Sequence, residues 1–367
     1  MKPVYIVSWL FALAISFVSC DDWLDKTPKD RLYPDVYFKT EDELRLFTNQ
    51  FYNNLVPSAV DIYSESSDLI VKSDLMLEMS GQRIIPDEGN GWNFTALRDI
   101  NFYLQYSHNC TEVNARNRYD GVARFFRAYF YFEKVKRYGD IPWYDKALDS
   151  DDPELYKARD SREFVMQKML EDLDFAIANL PKTKNAYVLT RWTALALKSR
   201  VCLFEGTFRK YHGLEDCEKY LNACVSASET FMNESGYTLY KSGSTPYRDL
   251  FASINLQADE VIFGRDYEAS LSVLHNVQNY ENSTTMGRPG MNKKIVNSYL
   301  MADGSRFTDK AGYETMTFDQ ECQNRDPRLA QTIRTPGYTR IGSTKKEAPQ
   351  PGLYYDRISP DKIFDDG

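Results

Sequence analysis

Metal ligands are scarce in this chain: 367 residues include only three histidines and six cysteines. His108, His212 and His275 stand apart, with no zinc-type spacing around them, so neither a metal nor any other cofactor is expected. Beyond Cys20 the cysteines are Cys110, Cys202, Cys217, Cys224 and Cys322, an odd set that disfavours a closed disulfide framework. Cys217 and Cys224 fall on one expected helix, roughly 10 Å apart along its axis, and cannot bridge. Basic residues are also short, 45 Lys and Arg against 53 Asp and Glu for a net charge of -8. That balance excludes a general attraction to nucleic-acid backbones, and any polyanion would need a local basic patch. The apolar run Val4–Val18 behind Lys2 is too short for a comfortable membrane span and has the length of a signal-peptide hydrophobic region. The sequence has no Gly-x-Ser-x-Gly elbow, no phosphate-binding glycine loop and no His-Glu-x-x-His motif. Carboxylates are plentiful, but none sits in an active-site motif, and most fall on expected solvent faces.

Aromatic residues are abundant instead: 26 Tyr, 21 Phe and 5 Trp, within a 43% hydrophobic composition that can fill the core of one large domain or two small ones. The strongest periodicity lies in Gly121–Leu148. Phe125, Ala128, Tyr129, Phe132 and Val135 recur at helical spacing, Phe126 and Phe130 widen the apolar sector, and Arg124, Arg127, Lys134 and Arg137 fall mostly off it. Gly139 ends this helix and Pro142 prevents its restart. Thr40–Glu43 forms a capping box ahead of a face made by Leu44, Phe47, Phe51 and Leu55. Further helices are expected over Trp92–Cys110, from a cap at Asp160 to Pro181 with Phe164 and Met169 on the apolar side, over Arg191–Tyr211 capped by Thr190, and over Leu214–Phe231. The last two read as an antiparallel pair, with Ala194, Ala196, Ala223 and Ala227 allowing close approach. The pair is tetratricopeptide-like, without a clean repeat consensus. Residues 58–91 read as loop with short elements. Beyond residue 235 Gly, Ser, Thr, Pro and Asn dominate, with periodicity left only in Glu260–Phe263 and Lys294–Leu300.

Several short segments carry a resemblance in a consistent order. The run Ala123 to Phe132 leading into Arg137-Tyr138-Gly139-Asp140-Ile141-Pro142-Trp143, then Ser298–Gly304 and Arg325–Leu329, resemble the SusD/RagB family, lipoproteins that capture nutrients at the outer membrane of Bacteroidetes. The resemblance implies a mainly α fold: a tetratricopeptide-like helix-pair scaffold with a loop-rich second portion. The expected divisions are a signal peptide over 1–19, an anchor and extended segment over 20–39, a helical scaffold over 40–234 and a binding portion over 235–367. Family members usually continue past Lys362–Gly367, so the resemblance implies a C-terminally truncated chain. Ser19-Cys20 looks like a lipobox, in which the Cys20 thiol takes the lipid, and Asp21 and Asp22 resemble the surface-export signal of such lipoproteins. Several acyl chains would make that anchor stable.

With no catalytic motif in view, non-covalent capture is the expected function. Sugar rings stack on exposed aromatics while Arg, Asn, Asp or Lys pair with their hydroxyls. The residue-level candidates are Arg83 and Trp92, flanking Gly89-Asn90-Gly91, together with Tyr267 and Tyr280. The resemblance further implies an oligosaccharide ligand and a TonB-dependent outer-membrane transporter as partner. Two other classes fit parts of the pattern: a tetratricopeptide-type envelope scaffold and a helical glycoside hydrolase, which would need two carboxylates across the scissile bond.

Overall fold

The computed structural model describes residues 36–57, 70–71, 77–85, 89, 91–275, 290–333 and 335–338. Cys20 and Tyr280 lie outside the described residues, as does the apolar run at the start of the chain. The described part is mainly helical: α1 Glu41–Leu55, α2 Leu77–Ser80, α3 Thr95–Tyr106, α4 Val113–Tyr138, α5 Arg162–Asn179, α6 Arg191–Tyr211 and α7 Cys217–Glu234. Four short helices follow, α8 Pro246–Ala252, α9 Lys293–Ser298, α10 Phe318–Glu321 and α11 Pro327–Thr332. One antiparallel strand pair joins Ile70–Val71 to Gly290–Met291.

Helix α4 is the axis of the core, packed against α1, α3, α5 and α6. Phe125, Phe126, Ala128, Phe130, Tyr131, Phe132 and Val135 are all buried, which is why its apolar sector is too wide for a surface helix. Gly139 closes it at φ +70 with its N–H on the Val135 carbonyl. Tyr129, on the expected stripe, is only half-buried. The larger departure is Arg127, which is buried: its Nε and Nη2 donate to the two Asp172 oxygens at 2.6 and 2.7 Å, and its Nη1 donates to Asn101 Oδ1 at 3.2 Å. Asn101 in turn donates to the carbonyls of Tyr144 and Lys146. Trp143 stacks on Tyr131 at 4.3 Å, and the Tyr131 hydroxyl accepts the Tyr144 N–H at 2.6 Å. The chain after Gly139 is thus tied back onto the helix it has just left.

From α4 to α7 the helices alternate direction. Arg127 meets Asp172 while Gly121 meets Ala176 and Leu180; Arg162 meets Glu205 while Asp174 meets Lys198. Gly206 meets Leu221 while Trp192 meets Phe231. Helices α6 and α7 also approach closely at Gly206, where a Cβ would stand 2.7 Å from Leu221. Of the expected alanines, Ala194 and Ala227 are buried. Ser161, not Asp160, caps α5, accepting the Phe164 N–H at 3.3 Å. Asp160 is diverted to the Trp143 N–H at 2.7 Å and to Lys157, so of two adjacent capping residues the loop took one. Phe164 is 40% exposed, although its neighbours Arg162 and Glu163 in the same turn meet Glu205 and Arg209 of α6. The turn after α6 uses Gly213 at φ +64 and Asp216 at φ +61, which delays α7 to Cys217. Helix α3 is shorter than expected, since Trp92–Phe94 belong to a turn and Ser107–Asn109 tighten into a 3-10 turn. Cys110 and Cys202 are buried, and burial pushes the Cys202 thiol up to about 12, an inert core group.

Helix α1 carries the expected capping box, with Glu43 N–H on Thr40 Oγ1 and Thr40 N–H on Glu43 Oε2. Thr40→Ala is expected to lower stability by about 1 kcal/mol, read as a shift in denaturation midpoint without loss of helical content.

Candidate functional site

Trp92 is presented by a glycine turn at the foot of α4. Its N–H donates to the Gly89 carbonyl at 3.0 Å and the Asn93 N–H to the Gly91 carbonyl at 2.9 Å. Gly89 and Gly91 take φ of +74 and +83, a backbone conformation that favours glycine, and a Cβ on Gly91 would stand 3.3 Å from the Tyr138 hydroxyl, a tight contact. Asn93 Oδ1 then accepts the Thr95 N–H at 2.8 Å and starts α3. The turn sets the indole edge-on to Tyr138 at 4.9 Å and to Phe94 at 5.3 Å. Arg159, on the loop before α5, places its guanidinium 4.9 Å from the Trp92 ring centre. Lys134 fixes the turn from below by donating to the Gly91 carbonyl, over the Phe130 ring. Its burial, and next the charge of Arg137, lower its pKa from the usual lysine value.

Trp92 remains 40% exposed. The group is an indole platform, braced by two aromatic rings and bordered by the Arg159 guanidinium. A ring of this kind offers dispersion and a quadrupole to an apolar C–H face, and a guanidinium offers a planar fork of donors to hydroxyl oxygens.

Of the described candidates, Trp92 and Tyr267 belong to separate loci. Arg83 is exposed on the extended stretch 82–85 that precedes the Trp92 turn. Tyr267 belongs to a second locus, edge-on to His275 at 4.7 Å with Arg265 at 6.0 Å. Arg265 donates to the Val56 carbonyl at 3.1 Å and Phe263 packs on Tyr52, which ties this locus to the end of α1. The contacts described for Trp92 and for Tyr267 have no residue in common. Tyr138, Arg159 and Lys134 escaped the sequence reading. Tyr138 had a signal, as the last helical residue before Gly139; Arg159 had none, being one charge in a charged loop.

Among the described residues the buried carboxylates are Asp172, Glu205 and Glu321, and each is ion-paired: Asp172 meets Arg127 and Arg124, Glu205 meets Arg162 and Arg209, and Glu321 meets Lys293. Among the described residues no group of three or more His, Cys, Asp or Glu could hold a metal ion.

Two family models match the chain. One, described as starch-binding and associating with the outer membrane, covers residues 80–191, which include Trp92, Tyr138 and Arg159. The other, described as the SusD family, covers residues 250–361. A SusD-like protein of Formosa agariphila is 26% identical over 294 residues, 74% of this chain and 55% of that relative. Two other SusD-like proteins of the same organism are covered to 43% and 52%, so the chain spans about half the length of these relatives. A SusD-like protein from Bacteroides fragilis shares the fold with a TM-score of 0.67 at 23% identity, over 85% of this chain and 64% of that one. A SusD-like carbohydrate binding protein from the same species matches with a TM-score of 0.65 at 17% identity, over 85% and 63%.

Proposed function

This chain belongs to the SusD/RagB family, and from that premise we propose that it binds an oligosaccharide without altering it and delivers it to a TonB-dependent outer-membrane transporter. The observation that carries the reading is the half-exposed Trp92 platform with Arg159 above it, set on a rigid helix end within the stretch matched by the starch-binding model. The ion pairing of Asp172 and Glu205, each held between two arginines, supports a structural role for these buried carboxylates and fits binding better than hydrolysis. One stacked ring contributes on the order of 1 kcal/mol, and sugars leave a well-hydrated state, so affinity is expected to be micromolar or weaker.

Trp92→Ala is expected to weaken binding of the best neutral oligosaccharide roughly fivefold or more, the equivalent of one lost stack, with the fold unchanged by circular dichroism. Titration calorimetry reads it; an unchanged affinity places the site elsewhere. In this reading the helices of 40–234 form the scaffold and docking face, the portion 235–367 contributes binding loops, and lipid at Cys20 holds the protein at the outer membrane, facing outward. Labelling with a palmitate analogue, lost in Cys20→Ala, tests the anchor.

A further inference from the structure

Away from Trp92, helix α9 and the segment 306–313 enclose an open cavity of about 600 Å³, the size of a small-ligand site. Asn297, Ser298 and Leu300 line it from one stretch of chain and Arg306, Thr308 and Tyr313 from the next. Lys294 also borders the cavity, but it is already engaged within the chain. The two stretches are held together by Arg325, whose guanidinium donates to the carbonyls of Glu321, Val296 and Tyr299 at 2.9, 2.7 and 2.8 Å while lying 3.9 Å from the Phe307 ring centre. The Met301 N–H donates to the Ser305 carbonyl at 2.8 Å and the Ala302 N–H to the Asn324 carbonyl at 2.7 Å. Walls fixed in this way need little ordering when a ligand enters.

The lining has the chemistry that an amide requires. Leu300 and Arg306 are partners in an antiparallel bridge, so their side chains leave the same face with Cβ atoms about 5 Å apart. Leu300 is 38% exposed there, and beside it Arg306 presents a fork of N–H donors. Three residues before Leu300, Asn297 contributes a carboxamide whose Oδ1 has no hydrogen-bond partner in the protein. An acceptor left in that state is destabilising, and the terminal torsion of an asparagine is soft enough to turn the oxygen toward a donor in the cavity. The Ser298 hydroxyl donates to the Ile295 carbonyl at 2.6 Å, which leaves it an acceptor for a ligand. Tyr313 is set edge-on to Phe307 at 5.7 Å with its hydroxyl donating to Glu314 at 3.1 Å, and supplies an anchored ring. An apolar contact, a donor and an acceptor at neighbouring positions match the methyl, the carbonyl and the N–H of an acetamido group.

We propose that this cavity is a subsite for a 2-acetamido sugar, with the acetamido carbonyl on Arg306, its N–H on Asn297, its methyl on Leu300 and the pyranose ring against Tyr313. A plain hexose places a hydroxyl where the acetamido group stands and leaves Leu300 uncovered. A free amino sugar brings an ammonium toward Arg306, and none of the residues named as lining the cavity is an Asp or Glu that could receive it. A carboxylate in the same place would pair with Arg306 but would give Asn297 no donor and would set a charge against Leu300. The inference rests on the glycan-binding reading above and adds the ligand class.

The test is titration calorimetry of the full chain, in detergent, with three β-1,4-linked trimers that differ only in the substituent at carbon 2: those of N-acetylglucosamine, glucose and glucosamine. The N-acetylated trimer is expected to bind about tenfold tighter than the glucose trimer, and the glucosamine trimer is expected to bind weakest at neutral pH. Arg306 is exposed and Asn297 half-buried, so Arg306→Gln and Asn297→Ala should leave the circular dichroism unchanged. Each should bring the N-acetylated trimer down to about the affinity of the glucose trimer. Equal wild-type affinity for the N-acetylated and glucose trimers, or a preference that survives either substitution, overturns the subsite and leaves the glycan-binding reading standing. Tightest binding of the glucosamine trimer does the same. Binding of no trimer also overturns the subsite, and the glycan-binding reading falls with it only if a wider panel of oligosaccharides binds nothing.

Discussion

Asp172→Ala is expected to lower the stability of the helical scaffold by about 3–5 kcal/mol, because it leaves the buried Arg127 guanidinium without its counter-charge. Asp172 receives two short bonds from Arg127 and a third contact from Arg124 Nη1 at 3.5 Å, and it is itself buried. Removing it also frees Arg127 from the Asn101 relay that pins the Tyr144 and Lys146 carbonyls, so the loop after Gly139 should loosen with it. Urea denaturation reads the loss. The double variant Arg127→Met with Asp172→Leu should recover much of it, since a packed apolar pair removes both charges together. A single variant that costs less than about 1 kcal/mol would mean that the pair is solvated and does not organise the core.

Phe126→Ala is expected to cost about 3–5 kcal/mol, the range for emptying a fully packed aromatic site. Phe126 is 1% exposed, edge-on to Phe51 at 6.1 Å and to Tyr52 at 5.0 Å, and it is one of the contacts through which α1 docks on α4, beside those of Glu41 with Tyr119 and Arg118. Typical domains hold only about 5–15 kcal/mol in total, so the variant should melt many degrees earlier and should expose α1 first to hydrogen exchange. Phe251→Ala is the matched control: that ring is 73% exposed, and its loss should stay within about 0.5 kcal/mol. Equal effects at the two positions would contradict the assignment of the core.

The difference between these two phenylalanines shows what the sequence made legible. Helical periodicity marks Phe125, Phe126 and Phe132 as buried, because a repeat of that kind has one cheap solution, a packed face. Caps were legible where one candidate stood alone, as at Thr40 and Thr190. At Asp160 and Ser161 two candidates competed, and the tertiary demand of the Trp143 N–H decided between them. Periodicity could not show Arg127 as buried, since a charged residue beside an apolar stripe reads as surface until its partner, 45 residues away, is known. The same limit applied to the candidate site. Gly89 and Gly91 advertised a turn beside Trp92, yet Arg159 reaches the indole from a loop whose course depends on the packing of α4 against α5. Tyr267 was found as an aromatic residue in a loop, and its contacts with His275 and Arg265 place it in a locus of its own.

Capture without chemistry is the central claim, and calorimetry of the full chain against a panel of neutral and acidic oligosaccharides, with chromatography of the same mixtures afterwards, tests it most directly. The expected result is saturable binding of at least one oligosaccharide, at micromolar or weaker affinity and sensitive to Trp92→Ala, with every saccharide recovered at its original length. Shortened products would contradict the claim in favour of a hydrolase, and the absence of binding across the panel would contradict it in favour of a helical scaffold that carries no sugar.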